Sequence, residues 1–241
     1  MRLSNRLLLL TPLIGFLGVL SLLPAAARTP DRTPRKIQLS LFNDAAVPQD
    51  VIAAAQIRAS SVLEKAGAEA EWLTCRPTNK ADFSPASPEC GTFAWPVHLS
   101  VRIVRRGTSV SDNVFGMSFL NEAGEGVYAI IYYENLLDSN GYSGLSNADM
   151  LGYAIVHEIG HLLLGLHSHA THGVMQAKWQ KATFVAASQG RLVFTEPEAN
   201  LIQDRLEHVS CRRRLARQAE NLAYRDASLF SRRIGFPAAF F

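Results

Sequence analysis

The sequence predicts an α+β domain in which helices cover one face of a mixed sheet. Three observations carry this. Segments such as 36–42 and 97–104 alternate apolar and polar residues with period two, as half-buried strands do. Two stretches of helical length, 48–65 and 147–164, are rich in alanine and aliphatic residues. Turn-forming Gly, Asn, Asp and Pro clusters separate these runs and leave most strands ahead of the longest apolar helix.

Taken in order, Lys36–Phe42 is a strand and Asn43-Asp44 opens a turn. A helix from Pro48 to Lys65 follows, with Val51, Ile52, Ala55, Val62 and Leu63 available for packing and Gly67 ending it. Glu69–Leu73 is a short second strand. A loop rich in Pro, Ser and Asn comes next, bracketed by Cys75 and Cys90. Val97–Val104 is a third strand, with His98 on its polar face. Val114–Phe119 is a short strand whose glycine suits a sheet edge. After the turn at Asn121–Gly126, residues Gly126–Tyr133 form a strong strand. A polar loop, Asp138–Ser146, leads into the apolar helix, capped by Ser146 or Asn147 and stopped at Gly165. A short helix at about Lys178–Ser188 and a helix opened by the capping box Thr195-Glu196-Pro197-Glu198 complete the series.

The chain of 241 residues is long enough for one domain with a sizeable core and too short for two large ones. Arg2 and Arg6 precede an apolar run, Leu7–Leu23, and Pro24–Ala27 ends in a small-x-small cleavage pattern. Residues 1–27 therefore read as a signal peptide, with the mature chain starting near Arg28, exported to the periplasm or the exterior. No cysteine follows the run, so no lipid anchor is expected, and no stable membrane anchor remains after cleavage. The net charge is only +3. The late arginines, Arg212, Arg213, Arg214, Arg217, Arg232 and Arg233, suit a solvated helix face. With no basic groove interleaved with aromatics, no nucleic-acid partner is expected. An oxidising compartment permits disulfides. Cys75–Cys90 is the favoured pair, its loop closure contributing about 3 kcal/mol in the chain-entropy model. Cys211 is left either buried and free or paired with one of the others.

The most informative run is His157-Glu158-Ile159-Gly160-His161, an H-E-x-x-H pattern. Positions four apart share a helix face. His157 and His161 can thus direct two imidazoles at one metal ion, while Glu158 reaches a water beside it. This is the residue set for zinc-dependent peptide hydrolysis. An ordinary amphipathic helix with two surface histidines is the alternative. Leu151, Ala154, Ile155, Ile159, Leu162 and Leu163 argue for a buried helix, whose histidines and glutamate then need partners.

These residues, a downstream histidine and a later methionine resemble the metzincin zinc peptidases, and the element order resembles the metzincin N-terminal subdomain. Locally the chain is similar to matrixins: His167-Ser168 stands at the matrixin spacing from His161, and Met175 falls where the matrixin methionine would. The run HEIGHLLLG, a histidine and Gly173-Val174-Met175 also resemble a group of exported bacterial zinc proteases, in which Trp179-Gln180-Lys181 and Gly190–Thr195 recur. The resemblance implies a zincin-like domain over 28–215, followed by a tail over 216–241. That domain has a twisted mixed sheet of four to five strands, a backing helix, an active-site helix and a C-terminal helix.

The same resemblance implies Zn²⁺ as cofactor and a peptide or protein as substrate. Glu158 is then the general base, and Met175 forms a methionine turn under the metal. The third ligand is open. Metzincins place a glycine at the position of Leu164, whereas this chain has Gly165, and one extra helical residue turns the exit by about 100°. Spacing from His161 selects His167, and the bacterial group selects His169, which is favoured. His172, Glu196 and Glu198 are further candidates. Tyr153, Tyr142 and Ser168 are candidates to assist an oxyanion, and the edge strand near Phe115–Phe119 is where an extended substrate would lie. A zinc-binding module that recognises a partner without catalysis is the competing reading, against which the intact Glu158 speaks.

Overall fold

The computed structural model of the protein describes residues 35–76, 88–106, 114–140, 144–209, 211 and 218. The expected signal peptide, Tyr142, and the boundary expected between domain and tail lie outside the described residues.

The α+β expectation holds. Five strands, β1 (Arg35–Asn43), β2 (Ala68–Cys75), β3 (His98–Val104), β4 (Gly116–Phe119) and β5 (Tyr128–Tyr132), form one sheet in the order β2-β1-β3-β5-β4. The first four in that order run parallel, and β4 pairs antiparallel with β5 at the edge. Parallel neighbours need crossovers. Helix α1 (Gln49–Lys65) supplies the one from β1 to β2. Asn43 ties the turn before it, its side chain bonding both the N–H and the carbonyl of Val47. At its end the chain turns at Gly67, whose positive φ suits a residue without a β-carbon.

Alternation along the strands sorts the sheet into two faces. Leu39, Leu41, Leu99, Val101, Ala129 and Ile131 face one way and are fully buried with Ile52, Ala55 and Leu63 of α1. The same cluster takes in helix α3 (Asn147–Leu164) through Leu151, Ile155, Ile159 and Leu162. Helices α1 and α3 approach closely at Gly152, where an added β-carbon would lie 2.8 Å from the Ala55 carbonyl oxygen. Ser146 caps α3, accepting from the Asp149 N–H, and Asp149 pairs with Arg58 of α1 at 2.7 Å. On the other sheet face, a separate cluster gathers Phe42, Leu73 and Phe93 around the Cys75–Cys90 disulfide. That disulfide is the expected pair, although Cys75 ends β2 rather than opening a loop, and Cys90 lies in a 3₁₀ turn, Pro88–Gly91.

Three expectations need correction. The stretch expected as loop from Asp138 begins instead within α2 (Tyr133–Asn140), which takes over directly from β5. An eight-residue helix is too short to be stable alone. Packing makes it, through buried Leu136 and through Asn135, whose amide donates to the Val114 carbonyl. Helix α4 starts at Lys181, three residues later than expected, where Gln180 and Thr183 form a reciprocal cap. His98 lies on the expected face with Ser40, which it bonds at 2.8 Å, but that face is buried there. Cys211 is unpaired but exposed. A further helix, α5, covers the described residues 196–209; the Thr195 N–H donates to Glu198, as the capping box anticipates.

Candidate metal centre

Helix α3 is buried over most of its length, and its C-terminal half carries the site. His157 and His161 stand one turn apart with Nε2 atoms separated by 3.2 Å. The chain leaves the helix at Gly165, whose N–H bonds the His161 carbonyl. Trp95 Nε1 and Arg205 donate to the next two carbonyls, Leu162 and Leu163. With the helix end held, the following loop brings His169 back, its Nε2 3.1 Å from that of His161. One ligand atom from each histidine falls within a span of 4.8 Å.

This is a donor set that fits a metal ion. Nitrogens about 2.1 Å from a tetrahedral zinc lie about 3.4 Å from one another. The other ring nitrogens are already engaged. His157 Nδ1 lies 2.8 Å from the Val174 carbonyl, which can only accept, so Nδ1 carries the proton and Nε2 offers a lone pair. His161 Nδ1 lies 2.8 Å from the Ser168 hydroxyl. With Nδ1–H donated to Ser168, His161 Nε2 also offers a lone pair, and a cation between the rings relieves the repulsion of lone pairs this close. Burial pushes His157 down to about 4 and His161 down to about 3, the second helped by its two histidine neighbours. Both are therefore neutral near pH 7, as metal ligation requires.

His167 is not part of the cluster. It is exposed, in a left-handed backbone conformation that carries the chain round to Ser168 and His169. The glycine one residue late accounts for this. The helix runs one residue further and the loop after it one more, so that His169 rather than His167 returns to the same face. His172 is exposed and bonds Thr171; Glu198 caps α5. Among the described residues, neither Glu196 nor Glu198 joins the histidine group.

Glu158 points from α3 toward β4 and is 5% exposed. Burial pushes its carboxyl up to about 7, opposed by a hydrogen bond with Ser118. A dication at the three histidines would favour the ionised form. Below the site, Met175 is fully buried against Gly160, in a turn in which Gly173 has positive φ and Val174 bonds Val193.

Two of the candidates to assist an oxyanion, Tyr153 and Ser168, are engaged elsewhere. Tyr153 is fully buried, donating to the Ala187 carbonyl, and Ser168 faces His161. A cleft of about 990 Å³ opens over the histidines, bordered by Gly116, Met117 and Ser118 of the edge strand. Its far wall is aromatic: Trp179 packs edge-on against Phe115, Phe184 and the His157 ring. The contacts of Glu158 with Gly116 and Ser118 escape sequence reasoning. They join residues some forty positions apart, and only the edge placement of β4 hinted at them.

The fold and site together define an α+β domain with a cluster of three histidines, two on α3 and one on the loop after it, placed to bind a metal ion. No protein-family model matches the chain, and no curated protein does. Among solved structures, it is similar to a zinc-dependent peptidase from Methanocorpusculum labreanum, at 16% identity and TM-score 0.45, over 68% of this chain and 99% of that one. It is also similar to archaemetzincin from Methanopyrus kandleri, at 15% identity and TM-score 0.45, over 71% and 96%. A third is metalloproteinase-II from Bacteroides fragilis, at 14% identity and TM-score 0.43, over 73% and 54%.

Proposed function

We propose that this protein is an exported zinc-dependent endopeptidase. The observation that carries the proposal is the convergence of His157, His161 and His169 beside a buried Glu158 at the floor of an open cleft. The three imidazoles would hold zinc through their inward nitrogens, and a three-histidine donor set suits a catalytic rather than a structural zinc. When bound there, zinc supplies Lewis acidity, which acidifies water and polarises a carbonyl.

The chain's own residues supply the rest. Glu158 takes a proton from the attacking water as general base and returns it to the leaving amine. The Val174 carbonyl and the Ser168 hydroxyl orient the His157 and His161 rings. As the edge strand of the described sheet, β4 offers backbone groups to an extended peptide beside the histidines. The Cys75–Cys90 disulfide supports export, since such bonds persist in oxidising compartments.

The test is to measure zinc in the purified mature protein and to compare peptide-library cleavage by wild type and Glu158→Gln. One zinc per chain is expected, with activity in wild type and a loss of at least about a hundredfold in the variant. Absence of zinc, or equal cleavage by both, refutes the proposal.

A further inference from the structure

The carboxyl of Glu158 rests against two residues of the edge strand. The Ser118 hydroxyl lies 2.7 Å from Glu158 Oε2 and 2.8 Å from the main-chain oxygen of the same residue. Two positions away, and so on the same face of β4, Gly116 leaves open the space the carboxyl fills. A β-carbon on Gly116 would lie 2.6 Å from Glu158 Cγ and 2.7 Å from Oε1. Gly116 is not among the residues with positive φ, so it is space and not backbone conformation that calls for glycine here.

We propose that Ser118 and Gly116 are positioning residues for the Glu158 carboxylate, holding it in one orientation toward the histidine cluster. The proposal rests on the assignment of Glu158 as general base. A glutamate side chain has three rotatable bonds, and a buried ionised carboxylate without a hydrogen bond is costly. A hydroxyl that meets both Oε2 and the backbone of one residue fixes the side chain relative to its own helix. The gap at Gly116 sets the depth to which the carboxylate withdraws from the cleft. The edge strand thereby has two roles. As the edge strand of the described sheet it offers backbone groups to a substrate, while Ser118 and the space at Gly116 on its inward face hold the base. Binding and proton transfer therefore share one short element.

The test uses zinc-loaded mature protein. Zinc content, kcat and KM on a peptide substrate are measured for Ser118→Ala, Ser118→Thr, Gly116→Ala and Glu158→Gln. Ser118→Ala is expected to bind one zinc, keep its KM and lose about tenfold or more in kcat, the scale of one hydrogen bond to a charged group. Ser118→Thr, which keeps the hydroxyl, recovers most of that loss. Gly116→Ala lowers kcat with zinc retained; should it fail to fold, the Ser118 pair still decides. In a Glu158→Gln background, adding Ser118→Ala produces no further fall in kcat, because the group it holds is already gone. Wild-type kcat in Ser118→Ala, a loss confined to KM or to zinc, or failure of threonine to recover activity overturns the positioning role. If Glu158→Gln itself is fully active, the general-base assignment falls and the positioning role falls with it. A dead Glu158→Gln beside a fully active Ser118→Ala removes the positioning role alone.

Discussion

The sulfur of Met175 occupies the space that a side chain on Gly160 would need: a β-carbon there would lie 2.3 Å from Met175 Sδ and 2.9 Å from the Phe194 ring. Gly160 directly precedes His161 and is buried within α3. The turn that delivers Met175 also delivers the Val174 carbonyl to His157 Nδ1. Close approach of this turn to the helix therefore sets both the floor beneath the histidine rings and the orientation of one of them. A helical glycine costs about 1 kcal/mol relative to alanine, and here that cost is offset by the packing it permits.

Gly160→Ala is accordingly destabilising despite its better helix propensity. Overpacking of this kind costs about 1–3 kcal/mol, which exceeds the propensity gain. Denaturant unfolding of the zinc-free protein reads the loss. The variant also binds zinc more weakly, because displacing residues 173–175 moves the Val174 carbonyl from His157. Combining it with Met175→Ala relieves part of the clash, so the two effects are non-additive. A Gly160→Ala protein more stable than wild type would show that the turn yields freely.

His169→Ala and His167→Ala separate the two candidates for the third ligand. Loss of the His169 imidazole leaves two nitrogens, and stoichiometric zinc is lost on dialysis against a mild chelator. His167→Ala keeps its zinc, since that ring is exposed and outside the cluster. Wild type gains thermal stability with added zinc, as any ligand specific for the native state confers, and His169→Ala gains much less. Zinc loss in His167→Ala with retention in His169→Ala would reverse the assignment.

The parts of the fold that depend on local pattern were legible. Period-two alternation marks β1 and β3, and Ser146 and Gly165 mark the ends of α3. Helix α2 was not, because its eight polar-rich residues become helical through packing of Leu136 and a bond from Asn135 to Val114. At the site, helical spacing alone brings His157 and His161 together. Choosing between His167 and His169 depended on the path of a loop after a glycine one residue out of register. The helix end from which that loop leaves is held by Trp95 and Arg205, tertiary partners that sequence spacing does not encode. The face of His98 follows from alternation, but its burial does not: Phe93, five residues away across a turn, packs edge-on against its ring and helps exclude water.

That buried His98 gives the protein a pH dependence separable from the metal centre. Burial lowers its pKa from the ordinary 6.5, opposed by a backbone hydrogen bond at Thr92. The unfolded chain takes up a proton near pH 6.5, whereas the folded protein resists until lower pH. Between those values the unfolded state binds more protons, so stability falls as pH falls. The contribution of His98 is complete above about pH 6.5 and is lost progressively below it. His157→Ala, His161→Ala and His169→Ala in one background remove the ligands and their own titration. Within that background, His98→Gln should flatten the decline in unfolding midpoint between pH 7 and pH 5, even if it lowers stability at neutral pH by disturbing Ser40. Parallel pH curves for the two proteins would mean that His98 is as free to take up a proton in the folded state as in the unfolded one.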